Sequence, residues 1–380
     1  MTKTVLIVAG EASGDKHAAQ LVESLKKKED LRIIGIGGDM MKGAGVELLH
    51  HVKEMSVMGF SEIISKLPFF RRVRLDLLDF VRKEKPAAVI LVDYPGFNLR
   101  FAELARKNGM EVIYFISPQI WAWGKKRIKK IRRTVDLMLT IFKFEEEMYR
   151  QEGIDAHFVG HPLLDEMRYY DGTEIQSFRD SHSAKGGARM LALLPGSRLQ
   201  EVNRILPTML ESVKLLKQSL LSSGAELNVV IGCAPGIDDD VYEKIVKDSG
   251  VSVHLSHDTD LLMSSSDAGM IKSGTSTLEA ALHDLPMVVV YKTSWLNYII
   301  GRMLVKVESI SLVNIVARKK IVEELVQDDF TPLRAAEVLK DIFTRKDVVD
   351  KIRRSYADLR VVLGGKGASD RAAALILKAI

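Results

Sequence analysis

The chain has 380 residues, 47% hydrophobic and 28% charged, with a net charge of +5 and one cysteine, Cys233. That length and composition fit two globular domains with real cores. One cysteine excludes an intrachain disulfide, no apolar stretch reaches the 18 residues of a spanning helix, and the apolar start at 5–9 is too short for a secretory signal.

In chain order, short runs rich in Val, Ile and Leu at 5–9, 33–37, 88–92, 112–116 and 137–141 predict buried parallel strands. Phe158-Val159 adds a last one, and helical patterns such as 16–28 and 70–83 lie between. Small and polar residues dominate 171–189, which reads as a linker between a first domain, 1–170, and a second, 190–345. The second half repeats the scheme, with strands at 191–194, 228–231, 252–255, 268–271 and 287–291. From Thr331 onward the pattern is helical, and 346–380 must pack back on the first domain or on a partner subunit. The fold class is α/β: two Rossmann-like doubly wound parallel sheets with a cleft between them. Residues 66–133 hold 17 Lys+Arg against 6 Asp+Glu, a net of +11 that leaves the rest at −6. Such a basic surface suits an anionic partner, and a solvated face accounts for it equally.

Ligands of open parallel sheets bind beyond the carboxyl ends of the strands, so polar residues just after apolar runs are the candidates. Leu194-Pro195-Gly196-Ser197-Arg198 joins a strand to a helix. Gly196 allows close backbone approach, the helix start attracts phosphate, and Arg198 offers a fork of donors for a diphosphate. An ordinary strand–turn–helix corner fits the loop as well. Gly10-Glu11-Ala12-Ser13-Gly14-Asp15 is no GxGxxG, and its acids suit a sugar hydroxyl better than a phosphate; a plain turn with Asp15 capping the helix is the other reading. Asp93, in Asp93-Tyr94-Pro95-Gly96-Phe97-Asn98, is placed to act as a general base if it reaches a substrate hydroxyl; a plain turn, which Pro95-Gly96 suits by themselves, is the other reading. Trp121 and Trp123, in Ser117-Pro118-Gln119-Ile120-Trp121-Ala122-Trp123, precede seven basic residues in 125–133, a pairing suited to a sugar, a base or a membrane interface, while core packing accounts for either tryptophan singly. In Lys272-Ser273-Gly274-Thr275-Ser276-Thr277, hydroxyls open a helix in which Glu279 can take ribose hydroxyls; a capping box is the alternative. His161, in Gly160-His161-Pro162, either polarises a ligand or holds a hinge. Asp238-Asp239-Asp240 reads as a helix N-terminus rather than a metal pair, and no HxxxH or HExxH spacing supports zinc.

Together these strings resemble the lipid-A-disaccharide synthase family of glycosyltransferases, of the two-Rossmann-domain GT-B type. The resemblance runs over about residues 4–330 and includes Met58-Gly59-Phe60-Ser61-Glu62, Glu201-Val202, Pro286-Met287-Val288-Val289 and Ser311-Leu312-Val313-Asn314. Phe142-Lys143-Phe144-Glu145 and Val313 depart from the family pattern, which puts the local loop geometry in doubt.

The resemblance implies inverting transfer of 2,3-diacylglucosamine from its UDP derivative to 2,3-diacylglucosamine 1-phosphate. The products are UDP and a β-1,6-linked disaccharide 1-phosphate. Asp93 is then the base. Gly196, Ser197, Arg198, Ser273, Gly274, Thr275, Ser276, Glu279 and Asn314 hold the nucleotide sugar, with Arg198 and Asn314 on the departing UDP and no metal or other cofactor. Glu11, Ser13, Asn98, Gln119, Trp121 and Trp123 face the acceptor, and Phe69, Phe70, Arg71 and Arg72 dock the protein on the cytoplasmic face of an anionic inner membrane; the competing reading makes Phe69 and Phe70 core residues of an ordinary helix. No nucleic-acid partner is implied, and a homodimer is compatible with it. A UDP-N-acetylglucosamine 2-epimerase would share the design without an acceptor lipid. A basic nucleic-acid or membrane-binding module would leave the second-half phosphate loops without a role.

Overall fold

The structure is a computed structural model that describes residues 2–55, 66–121, 127–182, 188–220, 226–294 and 309–380. Contacts divide the chain into Met1–Glu166 with Leu363–Ile380, hereafter unit 1, and Met167–Val362, unit 2.

Unit 1 is built on β1 (Lys3–Ala9), β2 (Leu31–Gly37), β3 (Glu47–His51), β4 (Ala88–Val92), β5 (Val112–Phe115), β6 (Leu137–Thr140) and β7 (Ala156–Phe158). All pairings are parallel, in the order β3-β2-β1-β4-β5-β6-β7. Unit 2 holds β8 (Arg189–Leu194), β9 (Leu227–Gly232), β10 (His254–Ser256), β11 (Ala268–Lys272), β12 (Met287–Tyr291) and β13 (Glu323–Val326), in the order β10-β9-β8-β11-β12-β13 and again all parallel. Both orders reverse direction at one place, between β1 and β4 in unit 1 and between β8 and β11 in unit 2. Doubly wound sheets bind their ligands at such switch points.

The central strands are apolar because helices cover both faces: every residue of β4, β5 and β6 is buried. β3 and β13 escape sequence reading for the same reason inverted. Each lies at or next to a sheet edge, so Glu47, His50 and Glu323 stay partly exposed and interrupt the apolar run.

The segment 171–189 is not the boundary. Asp171 starts the helix Gly172–Ser181 with a complete capping box to Glu174. Arg179 of that helix donates to the backbone carbonyls of Ser265 and Ala188 and pairs with Asp267 at 3.1 Å, which ties it into unit 2; residues 183–187 lie outside the described set. The C-terminal region divides too. Most of the helix Lys346–Leu363 belongs to unit 2, where Tyr356 donates to the Leu285 carbonyl, while Ala368–Ala379 packs on the helix Ala12–Lys26 of unit 1.

Candidate active site

In unit 1 the loops after β4, at the switch point, and after its neighbour β5 carry left-handed residues. Asp93 and Tyr94, after β4, have φ of 46° and 48°, and Ile116, after β5, has φ of 63°. Left-handed conformations are uncommon for residues with a side chain, most of all a β-branched one, and cluster at functional sites. The fold over-determines Asp93: its carbonyl accepts from Asn98 Nδ2 at 2.8 Å and Tyr114 Oη at 2.5 Å, and its N–H donates to the Phe115 carbonyl. Its partly buried carboxyl is pushed up to about 6 by burial and by the charge of Glu11, against the pull of the Tyr94 N–H and His17. Tyr94 lies over the Gly10 backbone, where any Cβ would collide with the ring. Glu11 and Ser13 are exposed at the start of the helix Ala12–Lys26.

Two of the motif residues have other work. Asp15 caps no end of its own helix. Its buried carboxylate accepts from the N–H groups of Gly38, Met40 and Met41 and so caps the next one, Asp39–Gly43. Asn98, fully buried, clamps strand ends by donating to Val92 and Asp93 carbonyls, a structural role in place of the acceptor contact the resemblance implied.

His17 and Glu166 escaped sequence reading, since nothing in a sequence relates positions 149 apart. His17 Nδ1 lies 2.7 Å from Glu166 Oε1, and Lys16 pairs with Oε2 at 2.7 Å. His161 is buried and pushed down to about 3, chiefly by burial, so it is neutral; its Nδ1 accepts from the Leu163 N–H. That is a turn-holding role.

A second network stands behind Gln119 and Trp121, both partly exposed. The fully buried Glu145 accepts from Ser117 Oγ and Trp121 Nε1, each at 2.8 Å, and Trp121 meets the Phe144 ring edge-on at 5.5 Å. Burial pushes Glu145 up to about 7, against the hydrogen bonds that favour its charge. Trp123 and the 56–65 segment with Met58-Gly59-Phe60-Ser61-Glu62 lie outside the described residues.

The expected lipid-facing pair does not hold. Phe70 sits in the core with Val73, Leu77 and Val81, and Phe69 packs half-buried against it. The outer face of the same helix, Leu67–Glu84, exposes Leu67, Leu75, Arg71 and Arg72 around a groove of about 660 Å³. Asp76 and Asp79 line the groove as well, while burial together with the charges of Arg100 and Arg71 disfavours the cation of Arg74.

In unit 2 the switch-point loop after β8 is organised by Glu201. Its Oε2 accepts from the Ser197 N–H at 3.1 Å, and Oε1 pairs with Lys272 at 2.8 Å and lies 3.9 Å from Arg198. The Ser197 N–H expected to be free for phosphate is therefore taken by a side-chain anion. Gly196 has φ of 128° and its missing Cβ makes room for Glu201. Arg198 is 70% exposed. Lys272, at the end of β11, is the cation that sequence reading passed over; a Lys ending an apolar strand was the available signal.

After β11, Ser273 donates its hydroxyl to the Ile310 carbonyl, Gly274 follows without crowding, and Thr275 precedes the short helix Ser276–Leu282 without capping it, so no capping box forms. Glu279 is half-buried in that helix. Asn314 differs from expectation: both its donors go to the Val322 carbonyl and Glu324, and its oxygen accepts from the Ile321 and Val322 N–H groups. With every hydrogen-bonding position engaged, the side chain has nothing left for UDP. Glu324 is the hub, also accepting from Ile310 N, Ser311 N and Ser311 Oγ. Asp238 precedes the helix Asp239–Ser249 without a side-chain capping bond, while Asp239 and Asp240 occupy its first turn, where acids favour the helix dipole.

Comparison with known proteins adds the family. The family model described as lipid-A-disaccharide synthetase matches residues 5–378. The lipid-A-disaccharide synthase of Syntrophus aciditrophicus (strain SB) is 42% identical, over 100% of this chain and 98% of its own length. That of Myxococcus xanthus (strain DK1622) is 39% identical over 98% and 97%. Among solved structures, the calicheamicin glycosyltransferase CalG4 is similar with a TM-score of 0.61 at 15% identity, covering 100% of this chain and 98% of its own. The UDP-GlcNAc 2-epimerase of Neisseria meningitidis reaches 0.65 at 14%, covering 99% and 100%. Likeness at such identity concerns the fold.

Proposed function

The chain belongs to the lipid-A-disaccharide synthetase family, and from that premise we propose how its residues divide the reaction. The activity is glycosyl transfer: 2,3-diacylglucosamine passes from UDP to 2,3-diacylglucosamine 1-phosphate, giving the β-1,6-linked disaccharide 1-phosphate and UDP. An α-linked donor and a β product require one displacement with inversion. Such a step needs a base on the acceptor hydroxyl and stabilisation of the leaving diphosphate.

Asp93 is the base. The observation that carries this role is its place at the unit 1 switch point, on a strained turn, with a carboxyl held at about 6, where a base is both ionised and basic enough to act near neutrality. Glu11, Ser13, Gln119 and Trp121 contact the acceptor sugar, with Glu145 holding Trp121 in place.

Arg198 and Lys272 stabilise departing UDP together with Gly196, Ser197, Ser273, Gly274, Thr275 and Ser276. Glu279 holds the ribose. Asn314 acts indirectly, by fixing the loop before β13. This set of cations and hydroxyls does the work of a divalent ion, so turnover survives a chelator. The protein attaches peripherally to the cytoplasmic face of the inner membrane; no described helix is long and apolar enough to span a bilayer.

The test is UDP release from the acylated donor with and without the lipid monosaccharide phosphate. Release that depends on both supports the reading. Equal consumption of donor without acceptor would favour an epimerase-like or hydrolytic reaction instead.

A further inference from the structure

One cluster in unit 2 lies outside every role assigned above. Cys233 follows β9, Asp239 opens the helix Asp239–Ser249, and His257 follows β10. Parallel pairing of β9 with β10, ending at Ser256↔Gly232, sets the two strand ends side by side. Cys233 Sγ, a carboxylate oxygen of Asp239 and a ring nitrogen of His257 all lie within 4.8 Å of one another. Among the described residues no other three His, Cys, Asp or Glu side chains come this close.

The details suit a cation. His257 Nε2 stands 3.2 Å from Asp239 Oδ2. This is a hydrogen-bonded ion pair, and since bonds of about 2.0–2.2 Å from a tetrahedral centre put nitrogen and oxygen ligands about 3.3 Å apart, a metal can replace the shared proton with little movement. The other Asp239 oxygen, Oδ1, is buried with no hydrogen-bond partner. A carboxylate oxygen left so is costly unless a positive charge meets it. The Cys233 thiol is buried beside it, 3.9 Å from the Ile231 carbonyl and within reach of the Ser256 backbone.

We propose that Cys233, Asp239 and His257 bind one borderline divalent metal of the zinc class, with water in the fourth position. Sulfur and nitrogen ligands disfavour magnesium and calcium, which take oxygen. Binding exchanges the thiol proton for the cation and releases it to solvent. The metal cross-links two strand ends and a helix start, so it stabilises unit 2 and takes no part in the transfer.

Cobalt(II) titration of the whole protein tests this cleanly, because Cys233 is the chain's only cysteine. A thiolate-to-cobalt charge-transfer band can arise nowhere else. One equivalent of cobalt should produce the band, zinc should abolish it, and zinc should raise the melting temperature. Cys233→Ser should remove the band. His257→Ala, at a side chain 66% exposed and so safe for folding, should weaken cobalt binding by about tenfold or more, as even loss of an outer-shell partner costs that much. No band, a band that survives Cys233→Ser, or unchanged affinity in His257→Ala would each leave an ordinary Asp–His ion pair and overturn the site.

Discussion

Replacing Asp93 with asparagine separates the two consequences of a desolvated catalytic base. Asparagine tolerates the left-handed backbone at φ 46° and keeps an oxygen for the Tyr94 N–H, so the turn should survive. Turnover should fall about 10²–10⁴-fold, the usual contribution of general-base catalysis. Stability should move the other way. The folded-state carboxyl titrates at about 6 against an ordinary value of 3.8, so ionisation opposes folding. At 1.36 kcal/mol per pKa unit, the ionised group costs about 3 kcal/mol at neutral pH. At pH 3 and below it is largely neutral in both states and the variant gains little. The gain grows between about pH 4 and 6 and is complete above. With about 2–4 °C per kcal/mol for a domain of this size, the Asp93→Asn variant should melt several degrees higher than its parent at pH 7 and alike at pH 3. UDP release gives the rate, and scanning calorimetry at the two pH values gives the stability. The acid limb of kcat/KM, near pH 6 in the parent, should vanish in the variant. A variant that retains near-parental turnover, or melts no higher at pH 7 than its parent, would refute the reasoning.

Arg198→Ala should weaken UDP binding and slow transfer, with Arg198→Lys recovering part, since Lys keeps the charge and loses the fork; normal calorimetric titration and rate in both variants would remove Arg198 from the site. Glu145→Ala leaves Trp121 Nε1 and Ser117 Oγ without their acceptor, at about 1–3 kcal/mol for each buried group. It should raise the acceptor KM and red-shift tryptophan emission while UDP affinity holds, and Glu145→Gln should restore most of both; unchanged emission and KM in the Ala variant would rule out the positioning role. On the membrane, Leu67→Ser and Leu75→Ser with Arg71→Glu and Arg72→Glu should release folded protein from anionic vesicles. Loss of two positive charges alone is worth about 2 kcal/mol, or about 30-fold. Unchanged sedimentation would place the docking surface elsewhere. Phe70→Ser, by contrast, should destabilise the fold, since Phe70 is a core side chain.

Which features a sequence reveals follows from what each residue touches. Strands covered on both faces announce themselves, as 88–92 and 287–291 do, because burial on two sides admits only apolar residues. Strand ends therefore come into view as well, and with them Asp93 and Gly196. Phe70 was also within reach: its spacing from Val73, Leu77 and Val81 is the 3.6 period of a core face, and that period outweighs the adjacent arginines. Asp15 and Asn314 mark the limit of motif reading. Each stands in a string that points to a ligand, yet Asp15 caps a neighbouring helix and Asn314 closes its own loop. A polar residue serves the backbone or the substrate with the same atoms, and only the partners within reach decide which. The pairs Glu201–Lys272 and His17–Glu166 lie beyond any motif: adjacent strands β8 and β11 bring the first together, and the second joins helices 149 positions apart in the chain. The trio Cys233, Asp239 and His257 follows the same rule. Its ligands come from two neighbouring strand ends and a helix start, so no linear spacing betrays them. The absence of HxxxH therefore bears on zinc carried by one helix and leaves zinc carried by a sheet edge untouched.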